Sequence, residues 1–153
     1  MTQSRIHIGI DPGTTGAVAF IWPDGGVSVY DFADRTALMA LQAANQKMNN
    51  PKAFVEKVAS MPGQGVSTTF KFGKSTGQVV GWLEALGIPF EEITPTKWQR
   101  LVFDSGSKPK DRKVASLEMA RKLFPGAINS LKRKKDHNRA DALLIAEACR
   151  KAG

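Results

Sequence analysis

The sequence predicts an α/β chain, a mixed five-stranded sheet whose first three strands are antiparallel, flanked by helices. Three observations carry that expectation. Short apolar segments joined by tight glycine turns open the chain. From residue 36 onward, apolar residues recur at helical spacing and are interrupted by two further strand-like runs. No internal repeat or linker breaks the order β-β-β-α-β-α-β-α-α-α, so residues 1–153 read as one domain, long enough to bury a core.

Each element has a local reason. Arg5–Ile10 alternates through Ile6, Ile8 and Ile10, a strand pattern, and Asp11–Gly16 ("DPGTTG") turns the chain. Ala17–Trp22 is the second strand, Pro23–Gly26 a hairpin turn with its Asp-Gly pair, and Val27–Phe32 the third strand. Thr36–Met48 is expected as a helix with Thr36 as its cap. Lys52–Val58 is a strand with Glu56 near its end, and Met61–Ser67 a glycine-rich loop. Thr68–Leu86 is a helix stopped by Gly87, and Pro89–Ile93 a short strand. Thr94 caps a short helix to Val102, with Pro95 in its first position. The polar loop Asp104–Asp111 leads to a helix over Arg112–Leu123, and a second basic loop, Ser130–Asn138, leads to the last helix, His137–Lys151. Trp82, Trp98 and Cys149 are expected in the core.

Composition narrows the function. The chain is 42% hydrophobic and 24% charged, ordinary for a globular protein. No stretch approaches the roughly 18 apolar residues of a membrane span. The N-terminus lacks the basic and apolar regions of a secretory signal, so a cytoplasmic setting is expected. One cysteine excludes an internal disulfide framework and a multi-cysteine zinc site. The charge is uneven. Residues 1–93 hold 7 basic and 8 acidic residues, whereas residues 94–153 hold 15 and 6. The whole +8 surplus therefore sits in the last 60 residues, an electrostatic footprint for a polyanion such as nucleic acid.

Three acids stand out within this basic chain. Asp11 ends the first strand, Glu56 nearly ends the fourth, and Asp141 lies beside the apolar stripe of the last helix. His137 and Asn138 are four and three residues before Asp141 and can share its face; Asp136 is five before. Taken singly, Asp11 reads equally as a turn acid, Glu56 and Asp141 as surface acids, and Asp136 as a helix cap. Taken together, half-buried carboxylates repel unless a cation joins them, and oxygen-rich clusters suit Mg²⁺ or Mn²⁺. Two such ions can activate water and stabilise a leaving oxygen in phosphodiester hydrolysis. A basic chain that gathers acids makes sense as a nuclease.

The segments Ile8–Ala17 ("IGIDPGTTGA"), Phe54–Gly77 and Lys134–Ala148 ("KKDHNRADALLIAEA") together resemble the RuvC-type Holliday junction resolvases of the RNase H-like superfamily. "TPTKWQ" (Thr94–Gln99) and the lysine-rich run through Lys113 are similar to phage-type members. The resemblance covers nearly the whole chain and implies an RNase H-like fold. It implies Asp11, Glu56 and Asp141 as catalytic metal ligands, with two Mg²⁺ or Mn²⁺ ions per site. It further implies a homodimer that resolves four-way DNA junctions by paired symmetric nicks, water attacking the phosphodiester, in a bacterial or phage-infected host cytoplasm. Bacterial members carry an acid or histidine three residues before the last aspartate; here that residue is Asn138. His137 is the favoured replacement as catalytic and metal-binding residue, with Asp136 as the other candidate.

Lysines and aromatics supply the expected DNA contacts. Phe70 is expected to be exposed and to stack on junction bases, flanked by Lys71 and Lys74, while Phe72 is open between that role and burial. Lys108, Lys110 and Lys113 form one basic group, and Lys134 and Lys135 belong to another that leads into the last helix. Three competing readings are an RNase H-like nuclease acting on other branched or flapped DNA, a non-catalytic junction-binding protein, and an actin-like ATPase. The ATPase needs two domains, which this length does not supply.

Overall fold

The computed structural model describes residues 4–46, 49–57, 63, 65–103 and 110–153. The chain runs β1 (His7–Asp11), β2 (Ala17–Ile21), β3 (Val27–Asp31), α1 (Thr36–Ala44), β4 (Lys52–Glu56), α2 (Val66–Leu86), β5 (Phe90–Ile93), α3 (Pro95–Val102), α4 (Arg112–Leu123) and α5 (His137–Ala152). The sheet order is β3-β2-β1-β4-β5. β1 pairs antiparallel with β2 and parallel with β4, and β4 pairs parallel with β5. This is the expected mixed five-stranded sheet, and its three N-terminal strands form the expected antiparallel meander.

Strand alternation divides the core into two layers. Ile6, Ile8, Ile10, Val18, Phe20, Ala53 and Val55 face one side, where they pack with residues of α1 and α2. Ala17, Ala19, Ile21, Phe54 and Ile93 face the other side, where they meet α3, α4 and α5. α5 lies directly across β1, β2 and β4. Gly9 permits that approach: a Cβ there would fall 2.2 Å from the Ala142 carbonyl oxygen and 2.2 Å from the Ala146 nitrogen. Any side chain at residue 9 would lift the helix off the sheet.

The turn after β1 has two glycine requirements of its own. Gly13 adopts φ 139°, a backbone conformation that L side chains rarely adopt. A Cβ on Gly16 would sit 1.8 Å from the Asp11 carbonyl oxygen. The turn therefore folds tightly back on the residue that ends the strand.

Several local expectations need correction. Thr36 does not cap α1; it is the first helical residue, and its N–H donates to Asp34 Oδ1 at 3.1 Å. α1 stops at Ala44 because the Asn45 N–H turns back to the Leu41 and Gln42 carbonyls; Met48 lies outside the described residues. α2 starts at Val66, two residues earlier than expected. The supposed loop Ser130–Asn138 is partly ordered: the 3-10 turn Pro125–Ser130 leads into it, Lys134–Asp136 forms another, and His137 and Asn138 already belong to α5. Trp82 is half-buried rather than in the core, stacked on Phe32 with ring centroids 5.3 Å apart. Trp98 and Cys149 are buried as expected, and Thr94 caps α3 by accepting from the Lys97 N–H.

Candidate active site

Sheet register brings the first two acids together. β1 and β4 run parallel with Ile10 opposite Val55. The next residue on each strand is Asp11 and Glu56, so both acids end neighbouring parallel strands, the edge where α/β sheets gather sites. Alternation puts both on the face carrying Gly9 and Phe54, which is the face that α5 covers. α5 is seated by Gly9 against Ala142, which sets Asp141 over the same end of the sheet.

Burial and charge act on all three acids. Asp11 is 8% exposed, and its carboxyl is pushed well above the ordinary range by burial, then by the charges of Glu56 and Asp141. Glu56 is raised by burial, against the opposing hydrogen bond from Trp98. Asp141 is raised to about 7, first by burial and then by Glu56. Ser116, Arg112 and Lys113 oppose that rise. The Ser116 hydroxyl is buried on α4 without a partner at normal hydrogen-bond geometry, so its effect on Asp141 is that of a nearby dipole. Among the described residues none of the three acids forms a salt bridge.

The residues beside Asp141 take unexpected places. Asp136 is buried, accepts from the Arg133 N–H at 2.8 Å and its guanidinium at 2.9 Å, and stands 3.7 Å from Arg139. Burial raises its carboxyl, but these partners win and hold it below the ordinary value. It is engaged in closing the 3-10 turn before α5. His137 is pushed below its ordinary pKa by burial and by Lys113, against the opposing charge of Asp111. It lines a cavity of about 390 Å³ with Thr15, Lys135 and Arg139. Asn138 lines that cavity as well, and also the adjoining pocket of about 280 Å³ that contains Asp11, together with Thr14, Lys71 and Phe72.

Among the basic and aromatic residues, Lys71 and Phe72 line the Asp11 pocket and Lys113 acts on Asp141. Phe70 is 71% exposed on the first turns of α2, and Phe72 is half-buried against the Asp11 pocket. Lys71 reaches that pocket as well, and Lys74 follows it on α2. Lys110, Lys113, Lys134 and Lys135 are exposed; Lys108 lies outside the described residues.

Sequence reasoning missed one residue beyond doubt. Trp98 Nε1 donates to Glu56 Oε2 at 2.6 Å, a charge-assisted bond from α3 to the end of β4. The available signal was that a buried tryptophan needs a partner for its N–H. Ser116 and Thr14 gave no signal of their own.

The three carboxylates fit a hard divalent cation by chemistry: they are largely buried oxygen donors, and among the described residues none forms a salt bridge. Among the described residues, no three histidine, cysteine, aspartate or glutamate side chains stand together as a ready-made metal cage.

This architecture is the RNase H-like fold, and two solved structures that share it are Holliday junction resolvases by name. Thermus thermophilus RuvC, in a complex with a Holliday junction substrate, superposes with a TM-score of 0.57 at 17% identity, covering 96% of this chain and 93% of that one. Ydc2, the yeast mitochondrial Holliday junction resolvase, gives a TM-score of 0.54 at 18% identity, covering 97% and 78%. In sequence, the chain is 40% identical over 93 residues to the chloroplastic Holliday junction resolvase MOC1 of Chlamydomonas reinhardtii. That stretch is 61% of this chain and spans a tenth of the length of that curated relative. No family model matches. Among the described residues, no helix is long and apolar enough to cross a membrane.

Proposed function

We propose that the chain is a metal-dependent, structure-selective endonuclease that resolves four-way DNA junctions by paired nicks. The observation that carries this reading is the placement of Asp11 and Glu56 at the ends of neighbouring parallel strands, on the face that Asp141's helix covers, in a basic protein whose three acids form no salt bridge among the described residues. The similarity to resolvases in sequence and fold supports the choice of a branched substrate.

Asp11, Glu56 and Asp141 are the residues that would hold Mg²⁺ or Mn²⁺, two ions per site, with Asn138 or His137 completing the set. Such ions lower the pKa of water and stabilise a leaving oxygen in phosphodiester hydrolysis. The chain's own contributions are positional. Trp98 holds the Glu56 carboxylate in one orientation. Arg112 and Lys113 bring positive charge to the Asp141 side. Lys71, Lys110, Lys113, Lys134 and Lys135 hold the phosphate backbone in a salt-sensitive manner, and Phe70 stacks on a base at the branch point. A homodimer presents two equivalent sites to a two-fold junction. Bacterial or phage-infected cytoplasm is the setting this reading implies, whereas the similar algal protein is chloroplastic by name.

The test offers purified protein, with Mg²⁺, a synthetic four-way junction, a flap, a duplex and single strands. Symmetric paired nicks in the junction alone are expected. Equal cutting of every substrate would replace the junction reading with a general branched-DNA nuclease. Tight junction binding without cutting would make the chain a binder.

A further inference from the structure

α5 covers the middle of one row of β1, and the row ends in a pocket on either side of the helix. His7, Gly9 and Asp11 share that row, because successive strand residues point to opposite faces. Gly9 lies under Ala142 and Ala146. Asp11 ends the row in the pocket of carboxylates. His7 begins it four residues back, about 13 Å away at 3.3 Å per residue. There it lines a cavity of about 490 Å³, within the range of small-ligand sites.

The charge at this end is the reverse of that at the other. Arg5, His7 and Arg150 line the cavity, and Lys52 adds its charge at His7. Glu147 is the acid in the wall, buried and already bonded to Arg150. The Arg5 guanidinium is half-buried and donates to the Asn50 carbonyl and side-chain oxygens at 3.0 and 3.1 Å. Among the described residues no acid forms a salt bridge with it. Three cations therefore act on His7 against one acid, and with burial they push its imidazole below the ordinary pKa.

The rest of the wall is apolar and holds flat rings. Trp22 stacks on Phe20 with ring centroids 5.7 Å apart and donates its N–H to Ser28 Oγ at 3.0 Å, so the indole is rigid where it borders the cavity. Leu123 and Phe124, at the end of α4, line it as well. A guanidinium fork matches phosphate oxygens, and a phosphate monoester carries close to two negative charges at pH 7, enough to use more than one cation. Aromatic walls take a planar ring by stacking. A wholly apolar ligand would leave Arg5 unused, and a bare anion would leave Trp22 and Phe124 unused.

We propose that this cavity binds a nucleoside monophosphate, its phosphate on Arg5 and His7 and its base against Trp22 and Phe124. The site lies at the opposite end of β1 from the three acids, and it stands whether or not the chain cuts DNA. Its occupant joins β1 to α5, so binding stabilises the seating of the helix that carries Asp141.

The experiment titrates adenosine 5′-monophosphate into the full chain in EDTA and follows the side-chain resonances of the two histidines and three tryptophans by NMR. His7 and Trp22 are expected to shift and saturate together, while His137 and Trp98, which lie toward the other end of the sheet, stay in place. Adenosine, without the phosphate, and inorganic phosphate, without the ring, are each expected to bind at least tenfold more weakly. Leu123→Glu and Ser4→Glu, both at exposed positions in the wall, are each expected to weaken the titration at least tenfold, with unmoved His137 and Trp98 signals showing that the variants fold. Four results would overturn the proposal. One is a His7 signal that never saturates. Another is a His137 shift equal to that of His7, which would make the effect general anion binding by a basic protein. A third is equal saturation by inorganic phosphate alone. The last is an affinity that neither variant changes.

Discussion

α5 and the turn before it carry three acids out of full solvent contact, and the protein treats them in two ways. Asp136 is held by Arg133 and Arg139, and Glu147 is buried against Arg150 one turn further along. Asp141, between them, has no salt-bridge partner among the described residues, and neither do Asp11 and Glu56 facing it. An unpaired buried carboxylate is costly, and arginine is the usual remedy, one this chain applies at both flanking positions. It makes no such salt bridge to the three acids at the edge of the sheet, although Arg112 and Lys113 bring positive charge to the Asp141 side. The paired acids hold the helix in place; the unpaired ones are the set proposed to hold metal.

That contrast can be broken by substitution, and the largest effect belongs to the unpaired set. Asp11→Asn removes a charge from the site and is expected to slow junction nicking by about a thousandfold or more, while junction binding in a gel-shift assay stays within about twofold. Retained cutting in Mg²⁺ would end the metal-site reading. Gly9→Ala attacks the seating of α5 and should cost about 3 kcal/mol by denaturant unfolding, the cost of overpacking against helix backbone. Cutting falls with it, because Asp141 rides on that helix. Trp98→Phe keeps the ring and deletes the N–H donor. It should destabilise by about 1–2 kcal/mol and raise the Mg²⁺ concentration needed for half-maximal cutting. A stability loss with no change in Mg²⁺ demand would make the bond merely structural.

Two smaller effects sharpen the other side of the comparison. Arg150→Met leaves Glu147 buried without its partner, at the far end of α5 from the site. It should lower stability by about 1–2 kcal/mol, since the arginine is half exposed, with nicking per folded molecule unchanged. The pH dependence of the metal-free protein is subtler. Asp141 ionises near 7 when folded and near 4 when unfolded, so the folded state binds more protons between those values. Stability must then fall as pH rises through 7. The melting temperature in EDTA should therefore be higher at pH 6.5 than at pH 8, and Asp141→Asn should flatten that difference. At lower pH the trend weakens, because burial holds His7 and His137 below their ordinary values, so protonating them opposes folding.

Much of the fold was legible locally. Alternation in Ile6, Ile8 and Ile10, the Asp-Gly hairpin, the Thr94–Pro95 start of α3 and the Gly87 stop of α2 are short-range devices, and each lies where the pattern put it. Errors fell where a local rule had a competitor. Thr36 is a good cap residue, but Asp34 reached the amide first. The lysine-rich stretch before α5 looked like a loop, yet Asp136 and Arg133 close it into a 3-10 turn. At the site, the acids at 11, 56 and 141 were readable as types at strand and helix ends. Which neighbour accompanies them was not: helical spacing favoured His137, and in the fold His137 and Asn138 line one cavity while Asn138 also lines the Asp11 pocket.

By itself the sequence determined the order of elements, the basic second half and the identity of three acids, because periodicity, turn chemistry and charge are properties of neighbours along the chain. Tertiary structure alone decided that Asp11 and Glu56 end adjacent parallel strands, that Gly9 lets α5 bring Asp141 over them, and that Trp98 bonds to Glu56 across 42 residues. Strand register and helix seating are long-range outcomes of packing, and no local pattern encodes which distant side chains they will bring together.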